Sequence, residues 1–303
     1  MQADRVIPSG YCKGVINAIN LARKARAQYP DEKIYIMGML VHNHYVVQAF
    51  SQLGIITLTD ESKTKMELLD EIDDGVVIFT AHGIDPKVRQ HAVDRGLTVV
   101  DATCSDVTRN AELCRRYLDE GYDIIYIGKD SHPESEAVLA LSERINLVTS
   151  EADIDALELD NERILVTNQT TMSILDTAHL IELIRERYPQ STVVEEIYSA
   201  TRRRQQAILD LEGYDTLIVV GDPKSNNTAQ LASIARGRIK HIYKVEKAAD
   251  LLQYDLSDCH KAAVTAGAST PSYLTEQLIS YLRTGDSQYL EIDLNKVIQL
   301  QEV

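Results

Sequence analysis

The sequence predicts an α/β protein of three pseudo-threefold-related units with parallel sheets around a central cavity. Three observations predict it. Short apolar runs alternate with helical patterns along the whole chain. No low-complexity linker interrupts them. Three kinds of landmark recur in the same order about every 90 residues.

The elements follow in chain order. The helical pattern Lys13–Tyr29 comes after Cys12, and the strand-like run Lys33–Met37 ends at Gly38. Val76–Phe79 ends at Thr80-Ala81-His82, and Leu97–Asp101 leads through Cys104 into the helical stretch Val107–Glu120. Asp123–Ile127 ends at Gly128, Ile164–Val166 ends at Thr167-Asn168-Gln169-Thr170, and the helical stretch Ser173–Tyr188 follows. Thr192–Glu196 leads through Tyr198 into Thr201–Leu211, and Thr216–Val220 ends at Gly221. Ile239–Val245 and Ala262–Val264 precede a last helical stretch, Ser272–Arg283, and Tyr289-Leu290-Glu291-Ile292 reads as one more short strand. Short β-branched runs alternating with longer helical patterns are the signal of parallel strands joined by crossover helices.

Self-similarity sets the domain count. Cys12, Cys104 and Tyr198 each stand where a strand feeds a long helix, 92 and 94 residues apart. Gly38, Gly128 and Gly221 each end a strand; four residues on stand His42, His132 and Ser225, and six residues on stand His44, Glu134 and Asn227. The third class holds His82, Thr170 and Ser269. The frame predicts units over 1–100, 101–197 and 198–303. Ligand groups in parallel α/β sheets sit where strands end and helices begin. Every landmark lies at such an edge, so the set converges on one ligand cavity. Taken singly, a Ser, Thr or Asn at these places is an ordinary helix cap.

Composition narrows the function. Lys+Arg is 31 and Asp+Glu is 46, a net charge of −15. An acidic chain does not suit general binding to nucleic acid or an anionic membrane. A small anion remains a suitable ligand, since backbone amides and a few polar side chains can hold one. The longest early apolar run, Ile34 to Val41, has eight residues, against about 20 for a span. We therefore expect a cytoplasmic protein with no membrane partner. Four cysteines, Cys12, Cys104, Cys114 and Cys259, form no CxxC. In a reducing compartment they read as metal ligands or core residues.

Seven segments carry a resemblance. They are Gly10-Tyr11-Cys12-Lys13-Gly14-Val15, Val41-His42-Asn43, Ala81-His82-Gly83, Asp101-Ala102-Thr103-Cys104, His132-Pro133-Glu134, Gln169-Thr170-Thr171 and Ala266-Gly267-Ala268-Ser269. In this order, from about residue 5 to residue 285, the chain resembles the LytB/IspH family of 4-hydroxy-3-methylbut-2-enyl diphosphate reductases. The resemblance implies a trefoil of three α/β domains around a [4Fe–4S] cluster held by three cysteines, with one iron open to the substrate hydroxyl. It implies a two-electron, two-proton removal of that hydroxyl as water, giving isopentenyl and dimethylallyl diphosphates. Ferredoxin or flavodoxin would donate the electrons. Position by position, Cys12 and Cys104 match cluster ligands. His42, His82, Ser225, Asn226, Asn227 and Ser269 fall on diphosphate-binding positions. His132 and Thr171 fall in the substrate pocket. Glu134 matches the acid of the proton path and Thr170 its hydroxyl partner.

The third cluster cysteine is missing. Ala200-Thr201 and Arg204-Gln205 fix the register, so Tyr198 stands where the family has a thiolate. Ser199 replaces an expected Tyr, Ser105 an expected Pro and Asn226 an expected Ser. Neither remaining cysteine fits the vacancy. Cys114 lies ten residues beyond Cys104, roughly 12–15 Å along a helix. Cys259 precedes a strand whose far edge is some 20 Å away. Three arrangements are open at Tyr198: a phenolate ligand, a bystander to a cluster held by two cysteines and another ligand, or an aromatic filling the space of a lost cluster. Arg202-Arg203-Arg204 reads either as a solvated helix start or as positive charge beside an anion. Two functions follow: an iron–sulfur reductase with an altered cluster site, or a cluster-free diphosphate-binding paralogue that senses or sequesters its ligand.

Overall fold

A computed structural model describes residues 1–60 and 62–299. The first elements are β1 (Gln2–Arg5), α1 (Lys13–Gln28), β2 (Ile34–Met37), α2 (His44–Gln52), β3 (Ile55–Leu58), α3 (Lys65–Asp70), β4 (Val76–Phe79), α4 (Pro86–Asp94) and β5 (Thr98–Asp101). Next come α5 (Ser105–Asp119), β6 (Asp123–Ile127), α6 (Pro133–Leu139), β7 (Ile145–Val148), α7 (Glu151–Ala156), β8 (Ile164–Asn168), α8 (Ile174–Arg187) and β9 (Thr192–Val193). The rest are α9 (Ser199–Leu209), β10 (Thr216–Val220), α10 (Asn226–Ile234), β11 (His241–Val245), β12 (Lys261–Ala266), α11 (Ser272–Thr284) and α12 (Leu294–Val297), with 3-10 turns at Ala248–Gln253 and Ser287–Leu290.

The strands form three four-stranded sheets of one topology. Their orders are β5-β4-β2-β3, β9-β8-β6-β7 and β1-β12-β10-β11, parallel throughout. The first two sheets take consecutive strands. The third borrows its edge strand from the start of the chain: Ala3 pairs with Ala262 and Arg5 with Val264. The repeat frame is therefore circularly permuted, and β1 lies in the sheet of the last hundred residues.

By compactness the described chain has two units. One holds 1–19, 41–54 and the residues from Ser199 onward, including the β1-β12-β10-β11 sheet. The other holds 20–40 and 55–198, with the two remaining sheets. Its β6 shows why a parallel strand reads as a continuous apolar run. Ile125 and Ile127 pack with Ile154, Val166, Ile181 and Ile184 on one face. Ile124 and Tyr126 pack with Cys114, Leu118, Val138 and Leu165 on the other. Cys114 is a core residue, as a free thiol on a helix's apolar face should be, and Cys259 is buried too.

The backbone repeats in detail. At the strand ends, the N–H groups of Gly38, Gly128 and Gly221 donate to Leu58, Val148 and Val245, at 2.9, 3.0 and 2.8 Å. Those of Ala81, Gln169 and Gly267 donate to Leu40, Ile127 and Val220, at 3.2, 2.8 and 3.0 Å. Two of these glycines permit a close approach. A Cβ on Gly221 or Gly267 would collide with the Thr228 hydroxyl on α10.

Sequence reading missed β1, β3 and β7. Each has only four residues and a half-exposed face; β1 carries Gln2, Asp4 and Arg5, while β3 (Ile55–Leu58) and β7 (Ile145–Val148) are mainly apolar but short. The expected strand at 289–292 is absent: Ser287–Leu290 is a 3-10 turn, capped by the Asp286 carboxylate, which accepts from the Gln288 N–H at 2.9 Å. No helix among the described residues is long and apolar enough to cross a membrane.

The glycine contact gives a first expected result. Gly267→Ala should cost about 1–3 kcal/mol in urea unfolding, the usual range for overpacking. Thr228→Ala in that background should recover part of the loss, because it removes the colliding hydroxyl. Additive effects would contradict the contact.

Candidate functional site

Cys12, Cys104 and Tyr198 occupy one equivalent place. Each precedes the first residue of a long helix, α1, α5 and α9. Each follows its sheet's edge strand and donates its N–H to the loop after the neighbouring strand: Cys12 to Ala268 at 3.0 Å, Cys104 to Ala81 at 3.0 Å, Tyr198 to Thr170 at 2.9 Å. All three residues are half-buried. A helix N-terminus favours a negatively charged donor atom. The donor set is two thiols and a phenol. Thiols suit iron–sulfur centres, and a phenol oxygen is a harder donor.

In the unit with residues 55–198, the edge around β4, β6 and β8 gathers the expected acid and its neighbours. The Glu134 side chain is 1% exposed. Its two oxygens accept from Thr170, one from the backbone N–H at 2.8 Å and one from the hydroxyl at 2.9 Å. Burial pushes the Glu134 carboxyl up to about 7, against the opposing hydrogen bonds from Thr170 and the Asn110 amide. His132 caps α6, its Nδ1 accepting from the Glu134 N–H at 3.1 Å. That bond makes Nδ1 the acceptor and leaves Nε2–H as the ring's donor. The rings of His82 and His132 meet edge to face, 5.8 Å apart. Thr171 accepts from Gln169 Nε2 at 3.0 Å.

Behind Glu134 lies a layer that sequence reading missed. Asn110 Nδ2 donates to the Asn168 carbonyl at 3.0 Å and sits 3.4 Å from the Tyr126 hydroxyl. Asn168 Oδ1 accepts from the Glu196 N–H, fastening the segment that leads to Tyr198. One signal existed. Val107, Asn110, Cys114 and Leu118 share the buried stripe of α5, and an Asn on such a stripe has a partner to find.

In the other unit, Ser225 caps α10 by accepting from the Thr228 N–H at 3.3 Å, with Asn226 and Asn227 in the first turn. Asn227 is 4% exposed, and neither polar atom of its amide has a hydrogen-bond partner among the described residues. A buried unsatisfied amide at a helix N-terminus has a donor that an anion could take up. The Ser269 hydroxyl donates to the His42 carbonyl at 2.8 Å, tying residue 42 to the loop after β12. His44 is engaged elsewhere, 2.6 Å from the Glu246 carboxylate. Burial raises the Glu246 carboxyl, which His44 opposes and Asp222 and Asp250 reinforce. Neither expectation for the arginine run covers Arg204. It is buried and donates to the carbonyls of Ala200 and Gly10, at 2.9 and 2.6 Å, bracing the turn before Cys12.

The family model described as "LytB protein" matches residues 5–283. The 4-hydroxy-3-methylbut-2-enyl diphosphate reductase of Geobacillus kaustophilus is 45% identical over 293 residues, 94% of this chain and 91% of that protein. The protein of the same name from Exiguobacterium sp. is 44% identical over 302 residues, 97% and 93% of the two chains. Among solved structures, the E-1-hydroxy-2-methyl-but-2-enyl-4-diphosphate reductase of Plasmodium falciparum matches with a TM-score of 0.88 at 28% identity, over 95% of this chain and 90% of that one.

The buried acid sets a pH test. The folded state holds the Glu134 proton up to about pH 7, whereas an unfolded Glu releases it near 4.3. Between those values the folded state binds more protons, so the group's contribution to stability falls as pH rises. Relative to Glu134→Gln, the wild type should lose up to about 4 kcal/mol across that window and nothing below it. Urea midpoints measured from pH 4 to pH 8 check this, and parallel curves would contradict it.

Proposed function

Since the chain belongs to the LytB protein family, we propose that it is an iron–sulfur reductase. Its reaction is the reductive removal of the hydroxyl of 4-hydroxy-3-methylbut-2-enyl diphosphate, with two electrons and two protons consumed and water released. Relatives carrying that name align over more than nine-tenths of the chain. The single observation that most supports the reading is the Glu134–Thr170 pair: a buried carboxyl near neutral pKa, held by two hydrogen bonds.

Each residue has a role in this reading. Cys12 and Cys104 hold the centre, which is a [4Fe–4S] cluster, and Tyr198 stands third through its phenol oxygen. When bound, the centre supplies the two electrons, delivered by a ferredoxin or flavodoxin. The substrate's diphosphate is bound by His42, His82, Ser225, Asn226, Asn227 and Ser269. Neutral donors serve here, because hydrogen bonds to an anion are stronger than neutral pairs. The Asn227 amide needs partners that a phosphate oxygen and its water can supply. His132 presents Nε2–H and Thr171 a hydroxyl to the substrate. Glu134 is the general acid: a group with a pKa near the working pH both carries and releases a proton. The Thr170 hydroxyl orients that proton.

The altered third position is the reading's critical point. A free phenol ionises near pH 10, so Tyr198 serves as a weaker ligand than a thiolate. Iron and acid-labile sulfide are to be measured on protein purified and reconstituted without oxygen. About four of each per chain are expected for a cubane, with a brown colour. Values near zero in folded protein would overturn the reductase reading and leave diphosphate binding alone. Tyr198→Cys should hold the cluster more firmly and raise reductase activity. Separately, Asn227→Ala should weaken inorganic diphosphate binding about tenfold by calorimetry, the cost of about one charge-assisted hydrogen bond.

A further inference from the structure

β10 and β11 end side by side, Val220 opposite Val245. The residues just beyond carry Asp222 and Glu246, and α2 begins with His44. His44 Nδ1 lies 2.6 Å from Glu246 Oε2 and 3.7 Å from Asp222 Oδ2. The His44 backbone N–H also donates to that Asp222 oxygen, at 3.1 Å. The three donor atoms fall within 4.8 Å of one another. A metal at about 2.0–2.2 Å from each donor separates them by roughly 3–4 Å, so small side-chain rotations gather them.

Charge points the same way. Asp222 is 4% exposed, and a buried carboxylate is costly unless a cation balances it. Asp250 adds a third carboxylate, its Oδ2 accepting from the N–H groups of Glu246 and Lys247. Against these three carboxylates stand the His44 imidazole and the Lys247 ammonium, with Lys244 on the cavity wall.

A separate feature marks the place as one for a polar ligand. Glu246 and Asp250 line a cavity of about 320 Å³, together with Gly221, Thr228, Lys244 and Gln253. Thr228 is 1% exposed, and its hydroxyl has no hydrogen-bond partner among the described residues. A polar cavity of this size holds ordered water.

We propose that His44, Asp222 and Glu246 bind one divalent first-row transition cation of the Mn²⁺, Fe²⁺ or Zn²⁺ type, with water from the cavity completing its coordination. One imidazole and two carboxylates suit such ions and no soft donor is present. The ion joins the start of α2, the turn before α10 and the end of β11. It thereby fixes the turn that carries Ser225 to Asn227. The proposal does not rest on the iron–sulfur reading, since none of its ligands belongs to that reading's residues.

The test is titration of the full chain with Mn²⁺, followed by the electron paramagnetic resonance signal of the free ion. Mn²⁺ prefers oxygen and imidazole over thiolate, so Cys12 and Cys104 do not compete. One Mn²⁺ per chain is expected, with ¹⁴N modulation from a bound imidazole in the spin-echo spectrum and a raised Tm. Glu246→Gln should weaken binding at least about tenfold, and His44→Gln should do the same and remove the ¹⁴N modulation. Their side chains are 29% and 38% exposed, so both variants should fold. Should either fail to, the ¹⁴N modulation of the wild type decides. No binding below about 1 mM, no imidazole modulation, or unchanged affinity in both variants would overturn the proposal.

Discussion

Three backbone hydrogen bonds organise the functional edges: Cys12 to Ala268, Cys104 to Ala81 and Tyr198 to Thr170. Each is worth only about 1 kcal/mol net. Their importance is positional. Each pins the residue before a long helix against the loop that ends the neighbouring strand. The helix N-terminus and the strand-end loop then share one place, and that is where α/β proteins bind ligands. The bond ignores the side chain. A tyrosine stands at Tyr198 in the same backbone setting as the two cysteines, so this loop geometry accommodates either side chain.

The second constraint is a buried charge. Glu134 is buried in the first turn of α6, and hydrogen bonds from Thr170 and Asn110 recover only part of the desolvation cost. The Asn110–Asn168 layer carries the same network to Glu196 and so to the approach to Tyr198. Glu134 and Tyr198 are thus two hydrogen bonds apart, through Thr170. Strain of this kind is expected where chemistry rather than stability set the residue.

Much of this was legible in the residues. The spacing of Cys12, Cys104 and Tyr198 marked equivalent positions, and the hydrogen bonds repeat them. The strand-end glycines marked the carboxyl edges. The permutation was hidden because β1 is short, polar and at a sheet edge. A repeat search finds similar segments but does not show which sheet a terminal strand joins. Arg204 was hidden for another reason: within Arg202-Arg203-Arg204 nothing local distinguishes the buried member from its two exposed neighbours. Asp222 and Glu246 are 24 residues apart in sequence, and only the parallel pairing of β10 with β11 brings them together.

The permuted sheet has a consequence in time. Ala3 leaves the ribosome ahead of its partner Ala262, which follows 259 residues later. At about 5–20 residues per second, β1 waits roughly 10–50 s for its place. The other two sheets draw on residues 34–101 and 123–193 and can close during synthesis. Cys12 reaches its final setting only when β12 arrives. Any prosthetic group that Cys12 holds in this setting is therefore acquired only after β12 has been made, later than the other two sheets can close.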